Sequence, residues 1–266
     1  MDVARRVLTG FIRSEVTRVG FKRVVMGLSG GIDSAVACYL AAEALGAENV
    51  LALRLPYKTS SPESLPHAQL VIDALGVQSK TIDITPMVDP YLDANPEMDK
   101  IRRGNVMARA RMIVWYDHSA AFNALVLGTS NKTEILLGYT THYGDNASAI
   151  NPNGDLYKTQ LRQLAKALGV PQVIQDKTPS ADLWKGQTTE GELGFTYEEV
   201  DSLLYLLVDR RYSPEECVAT GFKRDFVETV LERVRRNQFK RMTPLVAKVS
   251  NRTVGYDFLY LRDWGT

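Results

Sequence analysis

Short apolar runs alternate regularly along this chain with longer segments of helical periodicity. The apolar runs lie at 22–28, 50–55, 79–84 and 124–127. The segments between them, with apolar residues at helical spacing, lie at 33–45, 63–75 and 105–122. Such alternation predicts a doubly wound α/β fold, in which helices flank a parallel sheet of about five strands. These folds bind ligands at the carboxyl ends of the strands, near the switch point.

The second half of the chain has a different character. From Thr129 to Asp155 the sequence is polar and rich in Gly and Asn, which is typical of functional loops. Helical patterns return at 158–168, 196–208, 214–218 and 224–236. They predict a helical C-terminal part. Residues 179–194 carry few apolar anchors, so we expect a mobile lid there, within a single domain that covers 1–266.

Charge and composition exclude several classes of protein. A formal net charge of +1 argues against a surface built to neutralise a nucleic-acid backbone. Cys38 and Cys217 lie outside any CxxC or metal-ligand spacing, which indicates two buried free thiols. No apolar run approaches the roughly 20 residues that span a bilayer, and we expect a cytoplasmic protein without membrane contact.

A Gly-Gly pair stands where the first predicted strand turns into a helix, in the sequence GLSGGIDSAV. Gly30 and Gly31 allow a tight turn that brings backbone N–H groups close to a ligand, and the helix start attracts anions. The turn lacks the Lys of a P-loop and the spacing of GxGxxG. Asp33 suits a helix-start acid, and beside a phosphate it also suits a ligand of Mg²⁺. Although Gly-Gly turns are common, Asp33 favours a phosphate or pyrophosphate site.

The loop SGGIDS at 29–34 matches the SGGxDS signature of the N-type ATP pyrophosphatases, which cleave ATP between its α- and β-phosphates. Two later segments, LGTSNKTEILLGYTTHYGD at 127–145 and INPNGDLYKTQLRQLAKALGVP at 150–171, resemble the NAD synthetases of that group. Shorter segments that agree are RLPY at 54–57, GNVMARARM at 104–112, PSADLW at 179–184 and FKRMTP at 239–244. The resemblance covers roughly residues 5–245 and implies an adenine nucleotide alpha hydrolase-like fold.

This resemblance implies positions for ATP, Mg²⁺ and the acceptor deamido-NAD⁺. Asp33 and Glu134 match the Mg²⁺ ligands of the family. Arg109 and His142 stand where relatives contact deamido-NAD⁺. The residues implied to bind ATP are Gly27, Ser29, Gly30, Gly31, Ser34, Arg54, Thr129, Lys158, Ser180 and Lys240.

Some of these residues can also be interpreted as purely structural. Glu134 suits an exposed helix acid, and Arg109 suits an ordinary charge on a helical face. Lys158 begins a helix, where a cation is unfavourable unless an anion lies nearby, and this favours a functional role. The basic cluster at 233–241 is typical of a solvated helix end, with one member aimed at the site.

The reaction implied by the resemblance has two steps. The nicotinate carboxylate of deamido-NAD⁺ attacks the α-phosphorus of ATP, and ammonia then displaces AMP. Asp33 and Lys158 would act in catalysis by neutralising charge on the leaving pyrophosphate. Asp145 is a candidate acceptor for the proton of ammonium, and it equally suits a turn residue. No Cys nucleophile with a His partner is evident, so we expect free ammonia as the nitrogen source, and the resemblance also implies a homodimer.

The acceptor segment departs from the family pattern. His142 and Ala149 replace a Lys and an Asp, and Phe239 stands where many members have His. Besides a synthetase with a relaxed pocket, the sequence leaves open the amidation of a different carboxylate and nucleotide binding without turnover. A tRNA-modifying ATP pyrophosphatase shares the loop, but that class normally carries paired cysteines and a basic surface.

Overall fold

The computed structural model describes residues 1–184 and 186–259, and a parallel β-sheet forms its centre. The strands are β1 Arg23–Gly27, β2 Val50–Arg54, β3 Gln78–Thr81 and β4 Ala124–Val126. Their order is β3-β2-β1-β4, and all neighbouring pairs are parallel. The doubly wound α/β prediction is confirmed, with four strands in the described residues where about five were expected. A single parallel bridge between Leu127 and Ile150 extends the sheet beyond β4.

Helices flank the sheet and form the C-terminal part of the chain. In chain order they are α1 Asp2–Arg18, α2 Ile32–Leu45, α3 Ser64–Leu75, α4 Thr85–Asp93, α5 Lys100–Phe122, α6 Lys132–Leu137, α7 Lys158–Leu168, α8 Gln172–Gln175, α9 Thr189–Leu193, α10 Tyr197–Leu204, α11 Pro214–Ala219 and α12 Arg224–Arg236. A π-helical turn at Tyr205–Asp209 continues α10. The helix predicted at 196–208 is therefore α-helical in its first part and π-helical in its last turn. Across the described residues, no helix is long and apolar enough to cross a membrane.

The central strand β1 is buried on both of its faces, as expected for a parallel sheet covered by helices. Val24 and Met26 belong to one core, which also contains Leu161 of α7. Val25 belongs to a second core with Met107 of α5. Successive side chains of a strand point to opposite faces, so this alternation sets the two helical layers on either side of the sheet.

A third core forms in the helical C-terminal part. Leu137 of α6 packs there with Val200 of α10 and Val227 of α12, and Cys217 of α11 is buried among them. Cys38 lies in the first core, and both cysteines are free, as the sequence predicts. Because α6 follows β4 directly, this third core extends to the edge of the sheet where ligands are expected.

The strand order creates a switch point between β1 and β4. From β1 the chain moves outward through β2 to β3, and it then returns to the other side of β1 for β4. The loops that follow β1 and β4 therefore meet at the carboxyl edge of the sheet. Asn153 joins them, because its Nδ2 donates to the carbonyl oxygens of Asp33, at 3.0 Å, and Thr129, at 3.1 Å. The Gly-Gly loop and the polar segment after Gly128 thus form one site.

Candidate active site

The Gly-Gly loop connects β1 to α2, and its backbone requires glycine at one position. Gly30 has a φ of +78°, and a Cβ added there would lie 2.3 Å from the carbonyl oxygen of Ser64. Any other residue would be both strained and blocked at this point. Gly31 is the N-cap of α2, and it provides no side-chain cap for the first N–H groups of the helix. Those groups are available to an anion.

Two serines close the loop from the inside. Ser34 Oγ accepts a hydrogen bond from the N–H of Ser29 at 3.2 Å and donates to the carbonyl oxygen of Gly31 at 3.0 Å. Ser29 Oγ accepts from the N–H of Gly31 at 3.3 Å. The loop therefore holds its shape through its own hydrogen bonds, and a phosphate bound there would replace serine oxygens as the acceptor of these N–H groups.

Asp33, in the first turn of α2, is at the centre of the site. Its Oδ2 accepts a hydrogen bond from Lys158 Nζ, and its Oδ1 accepts one from Asn131 Nδ2 at 2.8 Å. The side chain of Lys158 is 2% exposed, and its Nζ lies 5.4 Å from the centre of the Tyr197 ring. A buried ammonium group requires a paired anion, because an isolated buried charge is strongly destabilising. Asp33 supplies that anion.

Asn131 links Asp33 to the second acid of the site, Glu134. Asn131 Oδ1 accepts from the N–H of Glu134 at 3.0 Å, and Glu134 Oε2 accepts from the N–H of Asn131 at 3.2 Å. This capping box fixes the Glu134 carboxylate at the start of α6. Desolvation and the charge of Asp33 raise the pKa of Glu134 to about 8, although Lys158 acts in the opposite direction. Glu134 is thus a partly buried capping residue and not an exposed helix acid.

A cavity of about 2260 Å³ lies in front of these groups. Most of the predicted site residues line it, namely Gly27, Ser29, Gly31, Asp33, Ser34, Arg54, Thr129, Glu134, Asp145, Lys158, Ser180 and Lys240. Among the described residues, Gly30, Arg109 and His142 are not part of the lining. The structure therefore brings the predicted phosphate and metal residues together, and it places the two predicted acceptor residues outside the cavity wall.

Arg109 and His142 contact each other in an exposed group of side chains. Arg109 Nε and Nη2 donate to the carbonyl oxygen of His142 at 3.2 and 3.1 Å. The His142 ring lies 3.9 Å from the Tyr143 ring and 5.9 Å from the Phe239 ring, measured between centroids. Tyr143 is 52% exposed and Phe239 is 59% exposed. The same loop reaches the cavity through Asp145.

Asp145 and Lys240 form the wall of the cavity next to this loop. Asp145 Oδ1 accepts from the N–H of Thr141 at 2.7 Å, and burial raises the pKa of Asp145. Lys240 Nζ donates to the carbonyl oxygens of Gly138 and Thr140, both at 2.7 Å, and burial lowers the pKa of Lys240. Two of the three Lys240 donors therefore bind the protein, and one is left for a ligand.

The other predicted ATP residues come from separate loops. Arg54, at the end of β2, donates through Nη1 to Gln69 Oε1 at 2.6 Å, while its buried Nε has no hydrogen-bond partner in the described part of the chain. Thr129 follows β4 and lines the cavity. Ser180 Oγ accepts from the N–H of Asp182 at 3.0 Å. Each of these three loops thus contributes a polar residue to the lining of the cavity.

The segment predicted as a lid contributes to the cavity wall. Asp182, with a φ of +53°, accepts from the N–H of Ser61 at 2.8 Å and from Ser64 Oγ at 3.0 Å. Through these bonds the segment contacts the start of α3, beside the Gly-Gly loop. Lys185 lies outside the described residues. The mobility of 179–194 stays a prediction.

Two arginines that line the cavity have no individual role in the sequence-based prediction. Arg111 Nε donates to the carbonyl oxygen of Leu55 at 3.0 Å, and Arg233 projects from α12. Burial lowers the pKa of both guanidinium groups, so both are partly removed from water. Arg111 lies in the segment GNVMARARM, only two residues from Arg109. Arg233 is a member of the basic cluster at 233–241 and lines the cavity together with Lys240.

The fold and this arrangement of a glycine-serine loop, two acids and a buried lysine define a nucleotide-binding α/β protein of the adenine nucleotide alpha hydrolase-like type. A family model described as NAD synthase matches residues 4–244. The chain belongs to the NAD synthase family.

Relatives and solved structures agree with this assignment. The NH(3)-dependent NAD(+) synthetase of Trichlorobacter lovleyi is 59% identical over 263 residues, which cover 99% of this chain and 96% of the relative. The NH(3)-dependent NAD(+) synthetase of Chlorobaculum parvum is 57% identical, and the match covers 97% of this chain and 93% of the relative. The NMN synthetase structure from Francisella tularensis has a TM-score of 0.82 at 33% identity, covering 93% of this chain and 98% of that one. The NH3-dependent NAD synthetase from Campylobacter jejuni has a TM-score of 0.79 at 33% identity, covering 93% and 99%.

Replacing Asn131 tests whether the site is held together by this buried amide. We expect Asn131→Ala to lower the free energy of unfolding by about 2 to 4 kcal/mol, because it removes a helix cap and leaves Asp33 Oδ1 without its hydrogen-bond donor. Thr196→Ala removes the equivalent cap of α10, which is exposed, and should cost only about 1 kcal/mol. Urea unfolding measures both values, and equal losses would contradict a role beyond capping.

Proposed function

We propose that this protein is an ammonia-dependent NAD⁺ synthetase, which uses ATP to amidate the nicotinate carboxylate of deamido-NAD⁺. The observation that carries the proposal is the buried ion pair of Lys158 and Asp33, which lies beside Glu134 and the Gly-Gly loop in a chain of the NAD synthase family. The relatives that are 57% and 59% identical are named NH(3)-dependent NAD(+) synthetases. The same family membership gives no support to a tRNA-modifying enzyme.

Asp33 and Glu134 are the residues that we propose as ligands of Mg²⁺. Both are oxygen donors of the kind that Mg²⁺ prefers, and Asn131 fixes them toward each other. No group of three or more His, Cys, Asp or Glu side chains suited to a metal occurs in the described residues. Two carboxylates fit Mg²⁺, which commonly takes few protein ligands and completes its shell with phosphate oxygens and water. When bound, the ion would neutralise charge on the pyrophosphate of ATP.

The remaining phosphate contacts are proposed for the chain's own donors. Ser29, Gly31 and the start of α2 line the cavity, and their N–H groups suit the phosphates of ATP, which would replace the serine oxygens as acceptors. Lys158 offers its remaining donors to the oxygens that gain charge as pyrophosphate leaves. The further residues proposed to contact ATP are Gly27, Gly30, Ser34, Arg54, Thr129, Ser180 and Lys240. Such fixed donors need little rearrangement during the reaction.

In the first step, an oxygen of the nicotinate carboxylate attacks the α-phosphorus, and the bond to the bridging oxygen of pyrophosphate breaks. In the second step, the nitrogen of ammonia attacks the acyl carbon, and AMP leaves. Ammonium must first lose a proton, and Asp145 is the proposed acceptor because it lines the cavity and burial raises its pKa. Adenylation is required because oxide is a very poor leaving group.

Free ammonia is the proposed nitrogen source. Glutamine hydrolysis within this chain would require a reactive cysteine, and burial raises the pKa of Cys38 to about 12. Cys217 is also buried and its pKa is raised. Neither thiol is suited to act as a nucleophile, because the thiolate is the reactive form.

The acceptor is proposed to extend from the cavity toward Arg109 and His142. Arg109 is an exposed cation that could meet a phosphate of the dinucleotide, and the neighbouring aromatic rings could contact its base or ribose. A second acceptor, nicotinate mononucleotide, is suggested by the likeness to an NMN synthetase structure and by the altered residues of this loop. Both acceptors present the same carboxylate to ATP.

The first test feeds the purified protein with ATP, Mg²⁺, ammonium and deamido-NAD⁺. We expect one NAD⁺, one AMP and one pyrophosphate for each turnover, detected by chromatography. A parallel reaction with nicotinate mononucleotide measures the choice of acceptor through kcat/KM. Release of AMP with the mononucleotide alone would replace the acceptor in this proposal, and binding of ATP without release of pyrophosphate would reject it.

The second test replaces the buried lysine. Lys158→Met should reduce kcat by about 10²- to 10³-fold, because it removes a fixed cation from the leaving pyrophosphate. Lys166→Met is the matched control, since Lys166 is an exposed residue of the same helix, and it should leave kcat unchanged. A similar kcat in both variants, with Lys158→Met still folded, would rule out this role.

A homodimer is also part of the proposal. The helix α5 leaves apolar side chains at its surface, with Ile101 at 68%, Ile113 at 55% and Tyr116 at 43% exposure. Other apolar residues of α5, such as Met107 and Val114, are buried under the sheet. The outer face of α5 is therefore the proposed contact between two copies.

A charged side chain introduced on the outer face of α5 should dissociate the proposed homodimer. Ile113→Asp is expected to sediment as a monomer where the unmodified protein sediments as a dimer, because the new carboxylate would be buried without a partner. Val19→Asp places the same charge on an exposed apolar position at the end of α1 and should remain dimeric. A monomer in the unmodified protein would refute this assembly.

A further inference from the structure

Two acids of the helical C-terminal part contact residues next to Glu134 and Lys158. Asp201 lies on α10 and is only 4% exposed. Asp209 ends the π-helical turn that continues this helix. Neither acid lines the cavity, and neither has a part in the chemistry proposed above. Asp201 is therefore a buried acid with no direct part in the reaction, and a buried carboxylate requires hydrogen-bond donors.

Asp201 holds the starts of two helices. Its Oδ1 accepts from the hydroxyl of Thr133 at 2.5 Å, and its Oδ2 accepts from the N–H of Thr159 at 2.8 Å. The hydroxyl oxygen of Thr133 in turn accepts from the N–H of Lys158 at 3.0 Å. Thr133 directly precedes Glu134, and Thr159 directly follows Lys158. One buried carboxylate thereby ties the first turn of α6 to the first turn of α7, where unpaired N–H groups favour an anion.

Asp209 binds the same two segments from the other side. Its Oδ2 accepts from the hydroxyl of Tyr157 at 2.5 Å, and its Oδ1 accepts from Lys132 Nζ at 2.9 Å. Tyr157 directly precedes Lys158, and Lys132 lies two residues before Glu134. Lys132 Nζ also pairs with Asp155 at 3.0 Å, so Asp209 shares this cation. The π-helical turn is the local departure from regular geometry that brings Asp209 to these partners.

We propose that Asp201 and Asp209 form an acid clamp that positions Glu134 and Lys158 for the reaction with ATP. Both are positioning residues, since they act through Thr133, Thr159, Tyr157 and Lys132 and not on the substrate. The acid clamp rests on the proposed function, because that function assigns Glu134 to Mg²⁺ and Lys158 to the phosphates.

The geometry gives the acid clamp a specific consequence. Glu134 and Lys158 belong to different helices. Glu134 is linked to Asp33 through Asn131, whereas Lys158 binds Asp33 directly. The clamp holds Lys132 and Thr133, which precede Glu134, and Tyr157 and Thr159, which lie on either side of Lys158. Its loss is therefore expected to change the distance between Glu134 and Lys158. Changes to residues that orient metal ligands typically cost 10- to 100-fold in metal affinity or activity.

Asp201→Asn keeps the shape of the side chain and removes one acceptor oxygen. We expect kcat to fall by about 10- to 100-fold, and the Mg²⁺ concentration for half-maximal activity to rise by about tenfold. The KM for deamido-NAD⁺ should stay within twofold, because the acid clamp does not contact Arg109, His142 or Asp145. Calorimetry with Mg²⁺ and α,β-methylene-ATP provides a measurement without turnover, and it should show weaker binding.

A second pair of variants tests the acid clamp through its bridging hydroxyl. Thr133→Val loses the hydroxyl that joins Asp201 to Lys158 and should reproduce the loss, whereas Thr133→Ser keeps the hydroxyl and should restore most of the activity. Glu198→Gln is the control, because Glu198 is an exposed acid of α10 that pairs only with Arg162 in the described residues. If Asp201→Asn does not fold, the two Thr133 variants decide.

The outcomes are distinct. Loss of kcat with weaker binding of Mg²⁺ and the analogue, at an unchanged KM for deamido-NAD⁺, supports the acid clamp. A lower melting temperature with unchanged kcat and analogue binding means that Asp201 serves stability alone, and it overturns the proposal, as does an equal loss in Glu198→Gln. If the unmodified protein forms no NAD⁺, the proposed function fails, while the calorimetric comparison of the variants still decides the clamp.

Discussion

The buried ion pair between Lys158 and Asp33 is the contact on which the rest of the site depends. It joins the first turn of α7 to the first turn of α2, and so it connects the polar segment after β4 with the Gly-Gly loop after β1. A lysine at the start of a helix faces the positive end of the helix dipole, which is unfavourable by itself. Asp33 offsets that cost, and an ATP phosphate with its own negative charge would add to the same compensation.

Amide side chains keep this pair in place. Asn131 binds one oxygen of Asp33 and closes a capping box with Glu134, so the two acids have a fixed relation to each other. Asn153 joins the backbone of Asp33 to that of Thr129 across the switch point. Asn131 and Lys158 bind different oxygens of Asp33, so the uncharged amide and the ammonium group hold the same carboxylate together. Asp33, Asn131, Glu134, Asn153 and Lys158, which form the phosphate half of the site, are therefore joined by one network of hydrogen bonds and an ion pair.

The sequence predicted the fold because the strands of a parallel sheet are buried on both faces and stand out as apolar runs. It missed α4, which carries Pro90 inside the helix. In the site, the loop at 29–34 was visible because its residues are neighbours in sequence. Asn131 could have been found from its capping box, since the pattern N-x-x-E precedes an apolar run. Asp201 gave no such signal, because an acid in an amphipathic helix is normally predicted to face solvent, and its partners lie 68 and 42 residues away.

The two halves of the site differ in how far they can vary. In the phosphate half, Asp33, Asn131 and Lys158 each make several hydrogen bonds, so a change at one of them would leave partners unsatisfied. The part predicted to bind the acceptor is more exposed, and the rings of His142 and Phe239 lie 5.9 Å apart there, measured between centroids. A change at His142 or Phe239 therefore disturbs fewer hydrogen bonds than a change at Asp33, and we expect this exposed part of the site to tolerate substitution more readily than the Gly-Gly loop.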